Sequence, residues 1–368
     1  MEIAYMLGSL NRGGTEILLL DCFRNADKAD FSFIGIFRKD GALSYDFKNT
    51  SVPLFKLVPK HRFDIGYLFC LRKLIRKHGI TIVHAQQPLD AIYARLACIG
   101  TSVKVVLTFH GFNFDAGRIE KLMVRSIITN TNLNIFVSNA QKQEYRQHYH
   151  LHENRTKTVY NGISFDKLNI SDSTDIRNEL NIQPDTLLMG SVGNFVAVRD
   201  QLTLCRFLKL LHDANTDFRF LFIGARNNAE AWRYDECVAF CKEAGLDNKV
   251  LFLGSRTDVP SILPRLDAFL YSTDHDTFGI AVIEAMASGI PVFVNDWNVM
   301  QEITQQGKYA HLYKTKDEHN LLFQFQKFLA DRTAFSIQAK EAAIWAKQQY
   351  SIEQHLHNLW EIYNDVVK

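Results

Sequence analysis

Short runs rich in β-branched and aromatic residues alternate with helix-length amphipathic stretches along the whole chain, and they do so in two successive series. The first places strands at 3–7, 31–37, 53–57, 80–85, 103–109, 134–138 and 156–160, and the second at 187–193, 218–224, 250–253, 268–272 and 291–295. A strand that returns only after a helix-sized spacer pairs in parallel with its predecessor, because a parallel neighbour needs a crossover of a dozen residues or more. Each series therefore predicts a doubly wound parallel sheet with helices on both faces, an α/β architecture. At 368 residues the chain is too long for one core, so two domains are expected. The break falls near Asn161-Gly162-Ile163 and the polar stretch 169–174. This gives domains at 1–165 and 166–350, followed by an amphipathic helix at 351–368 with Ser351 as its N-cap.

Several classes of protein fit poorly. The first residues carry Glu2 and no basic leader, so secretion is not expected, and the placement expected is cytoplasmic. The longest apolar run, 278–294, is interrupted by Glu284, Gly289 and Pro291 and falls short of the roughly 20 residues of a membrane-spanning helix. Six cysteines without CxxC spacing read as reduced thiols, and Cys237 and Cys241 lack companions for a metal site. A net charge of +2 argues against a nucleic-acid binder. The charge is unevenly spread: residues 1–165 hold 22 Lys/Arg against 13 Asp/Glu, and the remainder 20 against 27. A basic first half implies an anionic partner, either a phospholipid surface or a phosphate-bearing acceptor. The helix expected at 64–77 carries Arg72, Lys73, Arg76 and Lys77, joined by Lys56, Lys60 and Arg62. It reads either as an interfacial patch or as an ordinary crossover helix with Leu68, Leu71 and Ile75 on the sheet.

Three strand–glycine–helix segments carry the chemistry. In the first, Asp276 to Gly279 follows a strand and opens a helix containing Ile280 and Glu284. Helix-start N–H groups lack intrahelical partners and favour an anion such as a phosphate. Glu284 lies among Ile280, Ala281, Val282, Ile283, Ala285 and Met286, so its carboxylate needs donors; a ribose diol or a neighbouring Arg or Lys would serve. In the second segment, Gly193, Asn194 and Arg199 follow the 187–193 strand, and Arg199 can grip a pyrophosphate as the next helix begins. In the third, Gly13 and Gly14 separate the first strand from the first helix. Asp274-His275-Asp276 spells a DxD metal motif, but its context argues against that use. His148, His150 and His152 read as a solvated helix end.

These segments, with Val83-His84-Ala85-Gln86, Thr108-Phe109-His110-Gly111, Val137-Ser138-Asn139, Asn161-Gly162-Ile163 and Phe252 to Val259, resemble in order the family 4 retaining glycosyltransferases, the glycogen-synthase-like group of GT-B fold. The resemblance implies two Rossmann-like domains facing across a cleft, the first binding the acceptor and the second the nucleotide sugar, with the last helix returning to the first domain. It places Glu284 on the donor ribose and the backbone of Thr277, Phe278, Gly279 and Ile280 at the donor sugar and phosphate. Asp276 stands where the family has Glu, giving D-x7-E. Arg199 stands at the Lys of a phosphate-binding Arg/Lys pair, Asn194 replaces the Arg, and Gly224 to Asn228 replaces a G-x-G-P string. Gly13 and Gly14 match the loop over phosphate and acceptor, and His110 the His near the reacting sugar; His110 and Asp276 are the expected catalytic pair. The implied function is sugar transfer from a nucleotide diphosphate sugar, UDP-linked, to a glycan or lipid-linked acceptor in surface polysaccharide or glycoconjugate synthesis. Neither metal nor other cofactor, nor nucleic acid, is expected. The attachment expected is peripheral, at the inner face of the membrane. A hydrolysing sugar-nucleotide epimerase and a non-catalytic sugar-binding protein are the alternatives.

Overall fold

The computed structural model describes residues 1–61, 64–112, 114, 117–169 and 175–368. Arg62 of the basic stretch and residues 170–174 of the expected linker lie outside the described residues. The chain divides into two compact units, Met1–Ile163 with Tyr350–Lys368, and Ser164–Gln349.

The first unit holds strands β1 (Glu2–Ser9), β2 (Ser32–Lys39), β3 (Leu54–Lys56), β4 (Ile82–Ala85), β5 (Lys104–Phe109), β6 (Leu133–Phe136) and β7 (Thr156–Thr158). They form one parallel sheet in the order β3-β2-β1-β4-β5-β6-β7. The order reverses between β1 and β4, where successive crossovers leave in opposite directions and open a crevice at the carboxyl ends of the strands. β1 is buried on both faces, which is why it reads as a continuous apolar run. Ile3, Tyr5 and Leu7 enter one core with Leu19 and Phe23 of helix Gly14–Arg24. Ala4 and Met6 enter another with Tyr67, Leu71 and Ile75 of helix Ile65–Lys77. That helix is thus a crossover packed on the sheet, with Ile65 and Phe69 on its outer side, 66% and 69% exposed.

The second unit holds β8 (Leu187–Val192), β9 (Phe218–Ile223), β10 (Val250–Gly254), β11 (Ala268–Tyr271), β12 (Val292–Asn295) and β13 (His311–Tyr313). Their order, β10-β9-β8-β11-β12-β13, repeats the doubly wound pattern with its reversal between β8 and β11. β13 is a strand that periodicity does not reveal: three residues are too few to show it. It exists because Phe293 and Asn295 of β12 pair with His311 and Tyr313. Among the described residues no helix is long and apolar enough to cross a membrane.

The helix Ile352–Val367 belongs to the first unit although it follows the second in sequence. Ser351 caps it, accepting from the Gln354 N–H at 3.1 Å. Its Leu356, Leu359 and Tyr363 join the β1 core, each adding roughly 1.5–3 kcal/mol of burial. The Tyr363 hydroxyl lies 3.0 Å from the Tyr5 hydroxyl and 2.5 Å from His84 Nδ1. Tyr363→Phe removes the hydroxyl that bonds to both buried partners. It should lower unfolding free energy by about 1–3 kcal/mol, read as an earlier urea midpoint at unchanged slope.

Candidate functional site

The reversal between β8 and β11 brings together two loops that lie far apart in sequence. Arg199 bridges Thr273 as a short antiparallel pair, Asp274 N–H donates to Val198 O at 3.2 Å, and Thr273 Oγ1 donates to the same carbonyl at 2.5 Å. Asn295, fully buried at the end of β12, pins the second loop: its Oδ1 accepts from Thr273 N at 2.9 Å and its Nδ2 donates to Thr273 O at 2.8 Å.

Four donors converge on Asp276. Arg199 Nη1 lies 2.5 Å from Oδ2, and the Tyr271 hydroxyl donates to the same oxygen at 2.6 Å. The other oxygen accepts from the backbone of Thr277 at 2.9 Å and Phe278 at 3.3 Å. Tyr271 also supports the cation, with the Arg199 guanidinium 4.6 Å from its ring centre. The Arg199 and Asp276 side chains are 19% and 13% exposed, so each charge depends on the other.

Arg199 was expected just ahead of a helix, and it lies in the loop before helix Gln201–Asp213, whose cap is Asp200, with one of its nitrogens bonded to Asp276. Asn194, at the position of the Arg, uses its side-chain oxygen to accept from Ala225 N at 2.8 Å, tying together the loops that follow β8 and β9. The DxD carboxylates do not converge on one point: Asp274 pairs with Lys316 at 3.0 Å while Asp276 pairs with Arg199. His148 ends the helix Asn139–His148, and its ring lies 4.1 Å from that of Phe114.

Gly279 caps helix Ile280–Ala287 in the left-handed conformation, with φ of 88°. A Cβ there would press on the Met300 and Ile303 side chains, so both backbone and space demand glycine. Glu284 is half-buried on this helix among buried Val282, Ile283, Ala285 and Met286, as its neighbours in sequence imply. Tyr271, Asn295 and Trp297, whose Nε1 donates to Asp276 O at 3.3 Å, were missed by motif reading. A polar residue closing an apolar strand, as Asn295 does, was the available signal.

In the first unit the reversal between β1 and β4 borders a groove of about 420 Å³ lined by Thr15, Gln86, Gln87, His110, Gly111 and Glu120. Gly13 is the extended N-cap of helix Gly14–Arg24, and a Cβ on it would meet only the flexible Glu16 carboxylate, so packing alone does not require glycine there. His110 Nε2 lies 2.7 Å from Gln86 Oε1, and burial pushes the ring's pKa down to about 3. His355 is likewise lowered to about 4, and burial holds His84 well below the usual imidazole range.

Two family models match consecutive parts of the chain: "Glycosyltransferase Family 4" over 12–167 and "Glycosyl transferases group 1" over 172–351. An N-acetyl-alpha-D-glucosaminyl L-malate synthase of Bacillus anthracis is 24% identical over 330 residues, covering 88% of this chain and 84% of the relative. A UDP-Gal:alpha-D-GlcNAc-diphosphoundecaprenol alpha-1,3-galactosyltransferase of Escherichia coli is 21% identical over 83% of this chain and 80% of its own. The crystal structure of Anabaena HepE in complex with UDP and glucose superposes with a TM-score of 0.87 at 18% identity, over 99% of this chain and 100% of that one. The two doubly wound sheets are those of the GT-B fold, and both family models are of glycosyltransferases. The chain's first part matches the family 4 model and its second the group 1 model, which together indicate a glycosyltransferase of GT-B fold.

The buried neutral histidines set an acid limit on stability. Unfolded, each titrates near 6.5; folded, His110 and His355 do so only near 3 and 4. Below about pH 6.5 the unfolded chain binds more protons, so stability is full at neutral pH and falls as pH drops toward 4. The decline approaches roughly 1.4 kcal/mol per pH unit for each such histidine. Urea midpoints measured at pH 7 and pH 5 check this. Gly279→Ala should cost about 1–3 kcal/mol in the same assay.

Proposed function

We propose that the protein transfers a sugar, with retention of anomeric configuration, from a UDP-sugar held by the second unit to a glycan or lipid-linked acceptor held by the first. The observation that carries this is the convergence of Arg199, Asp276 and the 277–279 backbone at the β8–β11 reversal, directly ahead of the helix that bears Glu284. An anion at that helix start meets N–H groups with no intrahelical partner, while Arg199, with five donors, keeps others for a diphosphate after one is given to Asp276. Departure of the nucleoside diphosphate then builds charge where fixed dipoles and a cation already point, a task these groups perform without a metal. Glu284 takes the ribose hydroxyls. Asp276 sets the position of Arg199 and faces the sugar in place of the longer Glu of related enzymes.

Relatives support this reading. HepE binds UDP and glucose, and the Escherichia coli galactosyltransferase is named for a UDP-Gal donor and a diphosphoundecaprenol-linked acceptor. A lipid-linked acceptor accords with the basic first half and with an inner-membrane-face location, and a glycogen-synthase-like ancestry with the D-x7-E spacing. His110, neutral at physiological pH, contributes as a hydrogen-bonding group rather than as a cation, and Gly13 and Gly14 open the first helix of the same unit.

Calorimetric titration with UDP and a panel of UDP-sugars tests the donor. Glu284→Ala should weaken UDP binding 10-fold or more with little change in Tm, and unchanged affinity overturns the ribose role. Asp276→Asn should reduce turnover far more than UDP affinity, since the amide keeps the hydrogen bond from Tyr271 but loses the charge that orients Arg199. Equal losses in both would contradict its assignment to the sugar. Consumption of donor without any acceptor would identify a hydrolysing epimerase instead.

A further inference from the structure

Helices Ile65–Lys77, Pro88–Ala97 and Arg118–Asn130 form one layer on one face of the first sheet. The first two share a core through Leu71, Ile75, Ala94 and Ala97, and the second meets the third where Ala91 joins the core of Val124 and Ile128. Arg72 fastens the layer further, its Nη1 donating to Ala97 O at 2.9 Å and to Ile99 O at 2.7 Å. Fifteen large apolar side chains are exposed among the described residues, and six of them lie on the outer side of this layer: Ile65, Phe69, Leu96, Ile99, Ile119 and Leu122. Ile119 and Leu122 are 71% and 64% exposed. Apolar residues scattered singly over a surface need no explanation, but a cluster of them marks a contact surface. Residues 65–130 also hold nine Lys/Arg against three Asp/Glu. Asp90 is buried and paired with Arg38, and Asp115 lies outside the described residues. Among the described residues no carboxylate pairs with Arg72, Lys73, Arg76, Lys77, Lys121 or Arg125. Helical spacing interleaves the two sets: Ile65, Phe69, Lys73 and Arg76 share one exposed stripe, and Arg118, Leu122 and Arg125 share another.

We propose that the outer side of this helical layer is a docking surface for an anionic phospholipid bilayer. The cations meet lipid phosphates, while the apolar side chains enter the boundary between headgroups and acyl chains. Both halves of the pattern need an occupant of that kind. A second copy of the chain, seated by two-fold symmetry, would set unpaired cations face to face. A nucleic acid would leave Ile65, Leu96, Ile119 and Leu122 without partners, because bases stack on aromatic and not on aliphatic side chains. Pro88, Leu89, Glu120 and Met123, near the starts of the second and third helices, also line the groove bordered by His110. A molecule seated on this layer therefore opens its groove beside the lipid headgroups, where a lipid-linked acceptor arrives by diffusion within the membrane and not from solution. That last consequence alone rests on the proposed transfer reaction.

Flotation of the full chain with lipid vesicles tests the surface. The wild type should float with vesicles of mixed phosphatidylcholine and phosphatidylglycerol, stay behind with phosphatidylcholine alone, and dissociate as salt is raised. Phe69→Ser combined with Leu122→Ser removes two exposed anchors that the core does not use, and should weaken partitioning about 10-fold at unchanged Tm. Lys73→Glu combined with Lys121→Glu should weaken it at least as much, whereas Ile344→Ser, at an exposed position of the second unit, should have no effect. The Leu122→Trp variant should gain emission at shorter wavelength with the mixed vesicles, which adsorption through charge alone does not produce. Failure of the wild type to float, or equal flotation of the wild type and either double variant, overturns the proposal. A dimer in light scattering, or capture of nucleic acid, that the same variants abolish overturns it in favour of that partner. Flotation is read without a nucleotide sugar, so its outcome stands even if no sugar is transferred.

Discussion

The ion pair between Arg199 and Asp276 is the constraint around which the carboxyl edge of the second unit's sheet is arranged. Either charge alone, at 19% and 13% side-chain exposure, would be costly to hold; together they join the loop after β8 to the loop after β11 across the reversal of strand order. Tyr271 serves both members at once, its hydroxyl to the carboxylate and its ring to the guanidinium. Asn295 and Trp297 hold the same loop from β12 and the segment beyond it. The result is a loop held from several sides directly ahead of helix Ile280–Ala287.

Much of the fold could be read from the chain because parallel strands buried on both faces leave continuous apolar runs, as in β1 and β12. Turn chemistry showed where helices open: Ser351 caps its helix and Gly279 sits left-handed before another. β13 escaped notice because its three residues carry no period and depend on an already formed neighbour. The residues of the candidate site were visible one by one, yet their partnership was not. Arg199 and Asp276 lie 77 positions apart, and spacing carries no information about which cation a carboxylate will meet. The same limit applied to Asn194, whose side-chain oxygen accepts from Ala225 N, 31 positions away.

The first unit follows a different physical principle. Where the second places charges near solvent, the first buries neutral polar groups: Tyr5, His84, Thr108 and Tyr363 form one hydrogen-bonded chain from sheet to C-terminal helix. Such a chain fixes geometry without fixing charge. Among the described residues of this half the buried carboxylates are Asp21 and Asp90, the latter paired with Arg38.

The order in which the chain is synthesised adds a temporal asymmetry. Residues 350–368 complete the core begun by β1, and 186 residues of the other unit, 164–349, are made between them and Ile163. A chain emerging from the ribosome can therefore finish its second unit while the first still exposes the apolar trough that Leu356, Leu359 and Tyr363 will fill. Closing that trough demands contacts of very long sequence separation, the slowest kind to form. Nascent copies thus spend an interval with an unsealed hydrophobic surface, and molecular chaperones are the cellular machinery suited to guard it.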